Sequence, residues 1–381
     1  MLAFGILGAV LVGLGIILIV AHNWDNLSRP FKNFLAFLPM LIGQAACAYT
    51  LWKKSESIVW RESASVFLVF AIGACIATIS QIYNIQGELG SYLLTWLLLG
   101  LPITYVMKSS ATNLLYIGGV IWFTLVSGFD GSYSPFLFIG LLLLAIPHYY
   151  RLWKLQPNSN FLHLHTWALA VAGLLVLAAW GQENGRWLLV AFMSVLAIYY
   201  FLGLQLFDRQ QLRHNPFLII GTIGTIGLFL FFSFRGNWNN LVADNWSIAG
   251  SYTTRDFWVA IVLSLIAIGF LIRHVSLKKR LSPIAFAFLL FIALFLIAIH
   301  EPVISIILSN IFVLMVGLYY IYQGSHQNNL SILNLGLITT SILIIARFLD
   351  IDLSFIARGL LFIIMGLGFF FANYRLIKNR D

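Results

Sequence analysis

The sequence predicts an all-α protein, a polytopic bundle of about fourteen membrane spans with both termini on the cytoplasmic side. Three observations predict it. Of 381 residues, 61% are hydrophobic and only 9% are charged, where a soluble domain carries roughly 25% charged residues. Apolar runs close to the ~20 residues that cross a bilayer recur along the whole chain. The basic residues sit between those runs, with a bias that alternates from one connection to the next.

The first run, near 2–21, has no basic segment ahead of it and is long enough to span, so it reads as a permanent helix rather than a cleaved signal. It stops at "AHNWDNLSRPFK", a polar edge that also starts the second run, near 32–52. Further runs follow near 62–82, 89–107, 111–128, 135–150, 162–180, 187–206 and 216–234. The longest connection, "FRGNWNNLVADNWSIAGSYTTRDF", comes next; its Asn, Gly and Trp content predicts an ordered interfacial loop or a short amphipathic helix. The last five runs lie near 256–273, 283–299, 302–322, 330–346 and 355–375. Pro302 divides the crowded "AIHEPVIS" pair, since proline suits the first turn of a helix.

The lysines and arginines test this order independently. With the amino terminus inside, fifteen of the 22 fall in even-numbered connections and the carboxyl terminus, and seven in odd-numbered ones, as cytoplasmic enrichment requires. The net charge of +9 is therefore a topology signal, and no nucleic acid is expected as partner. Nine of the 13 acidic residues fall on the outer side, among them Asp25, Glu88, Glu183, Glu301, Asp350 and Asp352. Cys47 and Cys75 lie inside apolar runs without a C-x-x-C or Cys/His pattern, and read as buried, reduced core residues.

Three stretches organise the chain: 1–125, 126–328 with the outer loop near 235–255, and the terminal hairpin 329–381. "ILIVAHNWDNLSRPFKNFL" in the first hairpin aligns with "ILIIARFLDIDLSFIARGLL" in the last, pairing Asp25 with Asp350, Ser28 with Ser354 and Lys32 with Arg358. A true repeat of this kind runs parallel in orientation.

Candidate site residues gather at the predicted outer ends. Spans 1 and 3 finish there, with His22, Asn23, Trp24, Asp25 and Lys32 beside Gln81, Tyr83, Asn84, Gln86 and Glu88. Spans 11 and 13 add His300, Glu301, Arg347 and Asp350, and span 7 adds Gln182 and Glu183. One outer polar basin could collect them all. His22 with Asp25, and His300 with Glu301, are the acid and base candidates, although only residues three or four apart share a helix face. Glu301 before Pro302 also fits a carboxylate at a positive helix end. His163 and His165, at i and i+2, cannot share a face and read as interfacial.

The span middles are clean. Gln44, Ser194, Asn310 and Asn334 are the polar exceptions, and Gly221 and Gly224 suggest close helix packing. No H-E-x-x-H, phosphate-cradling loop, G-x-S-x-G elbow or dinucleotide fingerprint occurs, so neither metal nor cofactor is expected.

The glycine-spaced "GILGAVLVGLGIILIVAHNWDNLSRPFK" and the later "ISQIYNIQGELGSYLLTWLLLGLPITYVMKS" resemble the bacterial membrane family called domain of unknown function 2157. Asn23-Trp24-Asp25, Lys32, Gln81-Ile82-Tyr83-Asn84 and Gln86-Gly87 carry the resemblance, over about residues 1–125. The tail "ARFLDIDLSFIARGLLFIIMGLGFFFAN" is similar to the ending of longer members. The resemblance implies a bacterial cytoplasmic membrane location and no assigned chemistry. Members usually carry a soluble segment before their first helix, and this sequence opens directly on the apolar run.

Three functions are therefore expected in this order. The first is binding or translocation of a lipid-like or small polar envelope molecule at the outer basin, with membrane lipid as partner. The second is an extracytoplasmic transferase or hydrolase. The third is a scaffold for an envelope protein.

Overall fold

In a computed structural model the described residues are 24–181, 185–206, 214–242, 251–278 and 281–348, with single helical positions at 356, 359, 360, 363, 366, 367 and 370. The first predicted run, His22, Asn23, Gln182, Glu183, Asp350, Asp352, Ser354, Arg358 and most of the last run lie outside them, as do the sequence pairings of the proposed repeat.

Every described element is helical. In chain order they are α1 Arg29–Lys53, α2 Ile58–Ile82, α3 Leu89–Val106, α4 Ser110–Ser127, α5 Pro135–Leu143, α6 Ile146–Leu155, α7 Asn160–Ala178, α8 Trp187–Leu206, α9 Pro216–Phe231, α10 Arg235–Val242, α11 Arg255–Ser276, α12 Pro283–Ala298, α13 Pro302–His326 and α14 Leu330–Phe348. Short 3-10 turns occupy Trp24–Asn26 and Ser251–Thr253. Each predicted run inside the described residues has become a helix, α5 and α6 together forming one of them. Ten such segments are long and apolar enough to cross a membrane, and two shorter apolar helices are Pro216–Phe231 and Pro283–Ala298. The long connection contains α10, whose Trp238 is fully enclosed, so the expectation of a short helix holds in its described part.

Local chemistry starts and stops these helices. Proline stands in the first turn of α1, α5, α6, α9, α12 and α13, where its missing N–H is not needed. Ser109, Ser159 and Asn215 accept N–H groups of the first turns of α4, α7 and α9. At the other ends, Asn84, Lys108 and Asn328 adopt positive φ near 50°. The next residue then reaches back five positions, as in Ile85 N–H to Ser80 O at 2.9 Å, Ser109 N–H to Thr104 O at 3.1 Å and Asn329 N–H to Gly324 O at 2.9 Å.

The chain divides into two compact units, 1–179 and 180–381. In the first, α4 is central, packed by α2, α3, α5 and α7. Its core gathers Leu93, Ile117, Val120, Phe123, Phe138 and Leu141. Polar atoms inside are matched to backbone: Trp96 Nε1 donates to Val69 O at 2.7 Å, and Tyr116 Oη donates to Leu141 O at 2.9 Å. Cys47 and Cys75 are free and buried, as expected. In the second unit α8 packs against α9, α11 and α12, and α13 pairs closely with α14. Phe229, Phe232, Trp238, Phe291 and Phe312 form its aromatic centre.

Close approach of α8 and α9 depends on Gly221. A Cβ there would lie 2.5 Å from Tyr200 N and 2.8 Å from Leu196 O, both backbone atoms that cannot step aside. Gly227, on the same helix, has nothing within 4 Å. Gly221→Ala is expected to destabilise by roughly 1–3 kcal/mol, while Gly227→Ala stays neutral or gains up to about 1 kcal/mol in helix propensity, read by thermal unfolding in detergent.

Sidedness is tested separately. In a Cys47→Ala, Cys75→Ala background, Ser132→Cys between α4 and α5 should react with an impermeant maleimide from outside intact cells. Asn158→Cys, between α6 and α7, should react only after permeabilisation; the reverse pattern inverts the predicted orientation.

Candidate functional site

Unit 2 holds a cleft of about 700 Å³, inside the range of roughly 300–1,000 Å³ typical of small-molecule sites. Its location follows from three consecutive hairpins. The end of α8 and the start of α9, the end of α11 and the start of α12, and the end of α13 and the start of α14 all reach the same end of the unit. In the predicted topology this end is cytoplasmic.

One part of the wall is apolar, built from Leu204, Leu218, Ile219, Ile332, Leu335 and Ile338. The other is a set of hydroxyls and amides. Tyr200 Oη and Ser282 Oγ lie 2.6 Å apart, and the Tyr320 hydroxyl is turned toward the same Ser282 and toward Thr222. Tyr319, Gln323, Asn334 and His274 complete the polar lining, the His274 ring resting on Phe201 with centroids 5.5 Å apart. Among the described lining residues none is an acid, lysine or arginine. The cleft offers neutral donors and acceptors beside a hydrocarbon wall. Unit 1 has a smaller cleft of about 550 Å³, lined by Val69, Phe70, Trp96, Leu115, Trp122 and Phe161 among others, with little polar surface.

Apart from Asn334, one of the mid-span polar exceptions, the cleft residues were not among the sequence candidates. A search for charges at outer ends passes over hydroxyls inside apolar runs. The available signal was the tandem tyrosine at 199–200 and again at 319–320, each toward the same predicted end of its span, with Ser282 just before Pro283.

The predicted outer residues fall in both units. In unit 1 the Lys32 ammonium stands 5.5 Å from the Trp24 ring centroid, and neighbouring Asn33 Nδ2 donates to Tyr83 Oη at 2.6 Å. The start of α1 and the end of α2 are thereby at one level, as the shared exit of spans 1 and 3 required. Gln81, Asn84, Gln86 and Glu88 are exposed around them, Asn84 in the left-handed turn and Glu88 as the residue before α3. Asp25 lies in the Trp24–Asn26 turn.

In unit 2, Glu301 is the N-cap residue of α13 ahead of Pro302, so the helix-start reading holds. His300 is exposed beside it, and among the described residues no hydrogen bond joins its ring to a carboxylate. Arg347 is buried; its Nη2 donates to Ser233 Oγ at 3.0 Å and its guanidinium sits 4.5 Å from the Phe234 ring centroid. Asn310 Nδ2 donates to the carbonyl of the same Ser233 at 3.0 Å, which joins Arg347 to one of the mid-span polar exceptions. Ser194 meets Ser264 Oγ at 2.9 Å, Asn334 lines the cleft, and Gln44 is exposed. Among the described residues no group of three or more His, Cys, Asp or Glu side chains could hold a metal ion.

No curated protein and no solved structure matches the chain. The family model described as "Predicted membrane protein (DUF2157)" matches residues 1–112. The first third of this membrane protein, from the glycine-spaced run through the Asn-Trp-Asp and Gln-Ile-Tyr-Asn motifs to the start of α4, is therefore similar to the DUF2157 membrane proteins.

Proposed function

We propose that this protein, in a bacterial cytoplasmic membrane, binds and moves a lipid-like amphiphile whose head group is small and hydrogen-bonding. The observation that carries the reading is the divided wall of the unit 2 cleft: aliphatic side chains on one side, and on the other the hydroxyls of Tyr200, Ser282 and Tyr320. An acyl chain lies against the first without losing contact with hydrocarbon, and a head group exchanges its water for the second. The hydroxyls and amides of the described lining suit a neutral or zwitterionic head.

The outer basin belongs to the same reading as a second point of recognition. In unit 1 the meeting of Lys32 with Trp24 and of Asn33 with Tyr83 supports it. The transferase and scaffold readings gain no comparable support, since the described histidine of the outer set is exposed with no carboxylate bonded to it.

The test uses the protein in lipid nanodiscs with a phospholipid bearing a photoreactive acyl chain. Crosslinks should concentrate on the start of α9 and the start of α14, and Ile338→Trp, which fills the cleft from an exposed wall position, should reduce them about fivefold without changing the unfolding temperature. Labels spread evenly over the lipid-facing helices, or unchanged in Ile338→Trp, would show that the cleft is only a gap between helices. A second outcome concerns the head group. Tyr200→Phe and Ser282→Ala should each weaken binding of a soluble short-chain analogue by about fivefold, the worth of roughly 1 kcal/mol per hydrogen bond.

A further inference from the structure

Unit 1 contains a second polar assembly, made of residues that neither the cleft nor the outer basin uses. Glu62 of α2 turns its carboxylate onto the first turn of α4. Oε1 accepts Ser110 N–H at 2.9 Å, Oε2 accepts Ala111 N–H at 2.8 Å, and Ser109 Oγ also donates to Oε2. These are N–H groups that no residue within the helix can satisfy, and the carboxylate meets the positive end of the helix dipole. Ser110 passes the contact onward: its Oγ lies 3.2 Å from Nε2 of His148 on α6. The His148 ring centroid is 5.8 Å from that of His165 on α7.

His165 Nδ1 lies 2.6 Å from the Phe161 carbonyl oxygen, an acceptor only, so Nδ1 carries the hydrogen and donates. In the neutral ring Nε2 is then a bare lone pair. It is fully enclosed and has no partner. Asn113 repeats the pattern, with zero exposure and both amide atoms unpaired. It stands three residues beyond Ser110 and three before Tyr116, so the three share one stripe of α4. Ser110 on that stripe reaches His148 of α6, and Tyr116 reaches Leu141 of α5. Asn113 lies between them on that stripe.

Enclosed amide and imidazole atoms are too costly to leave dry, and what both lack is one small group able to donate and accept, which is water. We propose that unit 1 contains a proton-binding site formed by Glu62, Ser110, His148 and His165, with water held at Asn113 completing the proton's route. Hydronium from solvent gives up one O–H bond and becomes water, the proton forms an N–H bond on an imidazole lone pair, and the site becomes one unit more positive. No other bond changes.

The surrounding charges set how many protons the site takes. Arg61 and Glu62 come from α2, Tyr116 from α4, Tyr149 and Arg151 from α6, and His163 from α7. Glu62 is the acid tied to His148 through Ser110 at the start of α4. One carboxylate against two imidazoles 5.8 Å apart favours a single added proton, shared between them. The proposal rests on none of the cleft reading.

Histidine-selective ¹³C labelling of the full chain in nanodiscs tests it, with the two signals assigned by His148→Gln and His165→Gln. In the wild type both signals should move together over one pH range. In Glu62→Gln, which keeps an amide oxygen for the α4 cap, both should move at a pH lower by roughly half a unit or more. The exposed His300 signal should be the same in both proteins. Where Glu62→Gln fails to fold, His165→Phe serves instead, and the His148 signal should then titrate alone over a changed range. Signals that stay still between about pH 4 and about pH 9, or that ignore both substitutions, overturn the proposal.

Discussion

The structure depends on one constraint: a helix in hydrocarbon must satisfy its own polar atoms, because there is no water to do it. The backbone meets this by being helical, and the side chains follow. Thr50, Ser65, Thr124, Ser194, Thr225, Ser309 and Thr339 each return a hydroxyl hydrogen to a carbonyl four residues back. Such a hydroxyl is neutral in its surroundings and can sit anywhere in a span. Helix ends obey the same rule through prolines, Ser and Asn caps, and left-handed Asn and Lys residues.

Against that background the polar groups not used up by their own helices become informative. Tyr200, Ser282 and Tyr320 satisfy one another across three helices and leave capacity facing the cleft. Asn113 and His165 Nε2 are enclosed without any partner. Asn310 gives its amide hydrogens to Ile306 O and Ser233 O. It serves the Arg347 and Ser233 joint.

Much of the fold was legible in the sequence because its signal is coarse. Run length, proline placement and the separators between runs predicted each described span, including α10 in the longest connection. The match to the family over residues 1–112 was legible from Asn23-Trp24-Asp25 and Gln81-Ile82-Tyr83-Asn84, and stops short of the expected 125. The sites were less legible for a physical reason. Charge asymmetry directs attention to rims, where charges are cheap, while function inside a bilayer falls to residues whose cost is hidden by tertiary partners. Glu62 counted only as one inner-side acid; nothing in "RESAS" announces that its carboxylate will cap α4, forty-eight residues away at Ser110. His163 and His165 read as an interfacial pair, and the i, i+2 spacing instead divides them, sending His165 inward against His148 and leaving His163 half-buried.

The two polar assemblies differ in kind, and that difference limits what each can do. The unit 2 set is hydroxyl-rich in its described lining and lies beside an aliphatic wall, an arrangement suited to a dipolar group and an acyl chain. The unit 1 set is a carboxylate locked to a helix start plus two imidazoles, groups that suit a charge rather than an acyl chain. On the proposed readings one assembly takes an amphiphile and the other a proton, and a single cluster would serve both poorly: the polarity that stabilises a proton would hold water where an acyl chain must lie. Placing them in separate units resolves the conflict, because each can keep the solvation its ligand requires.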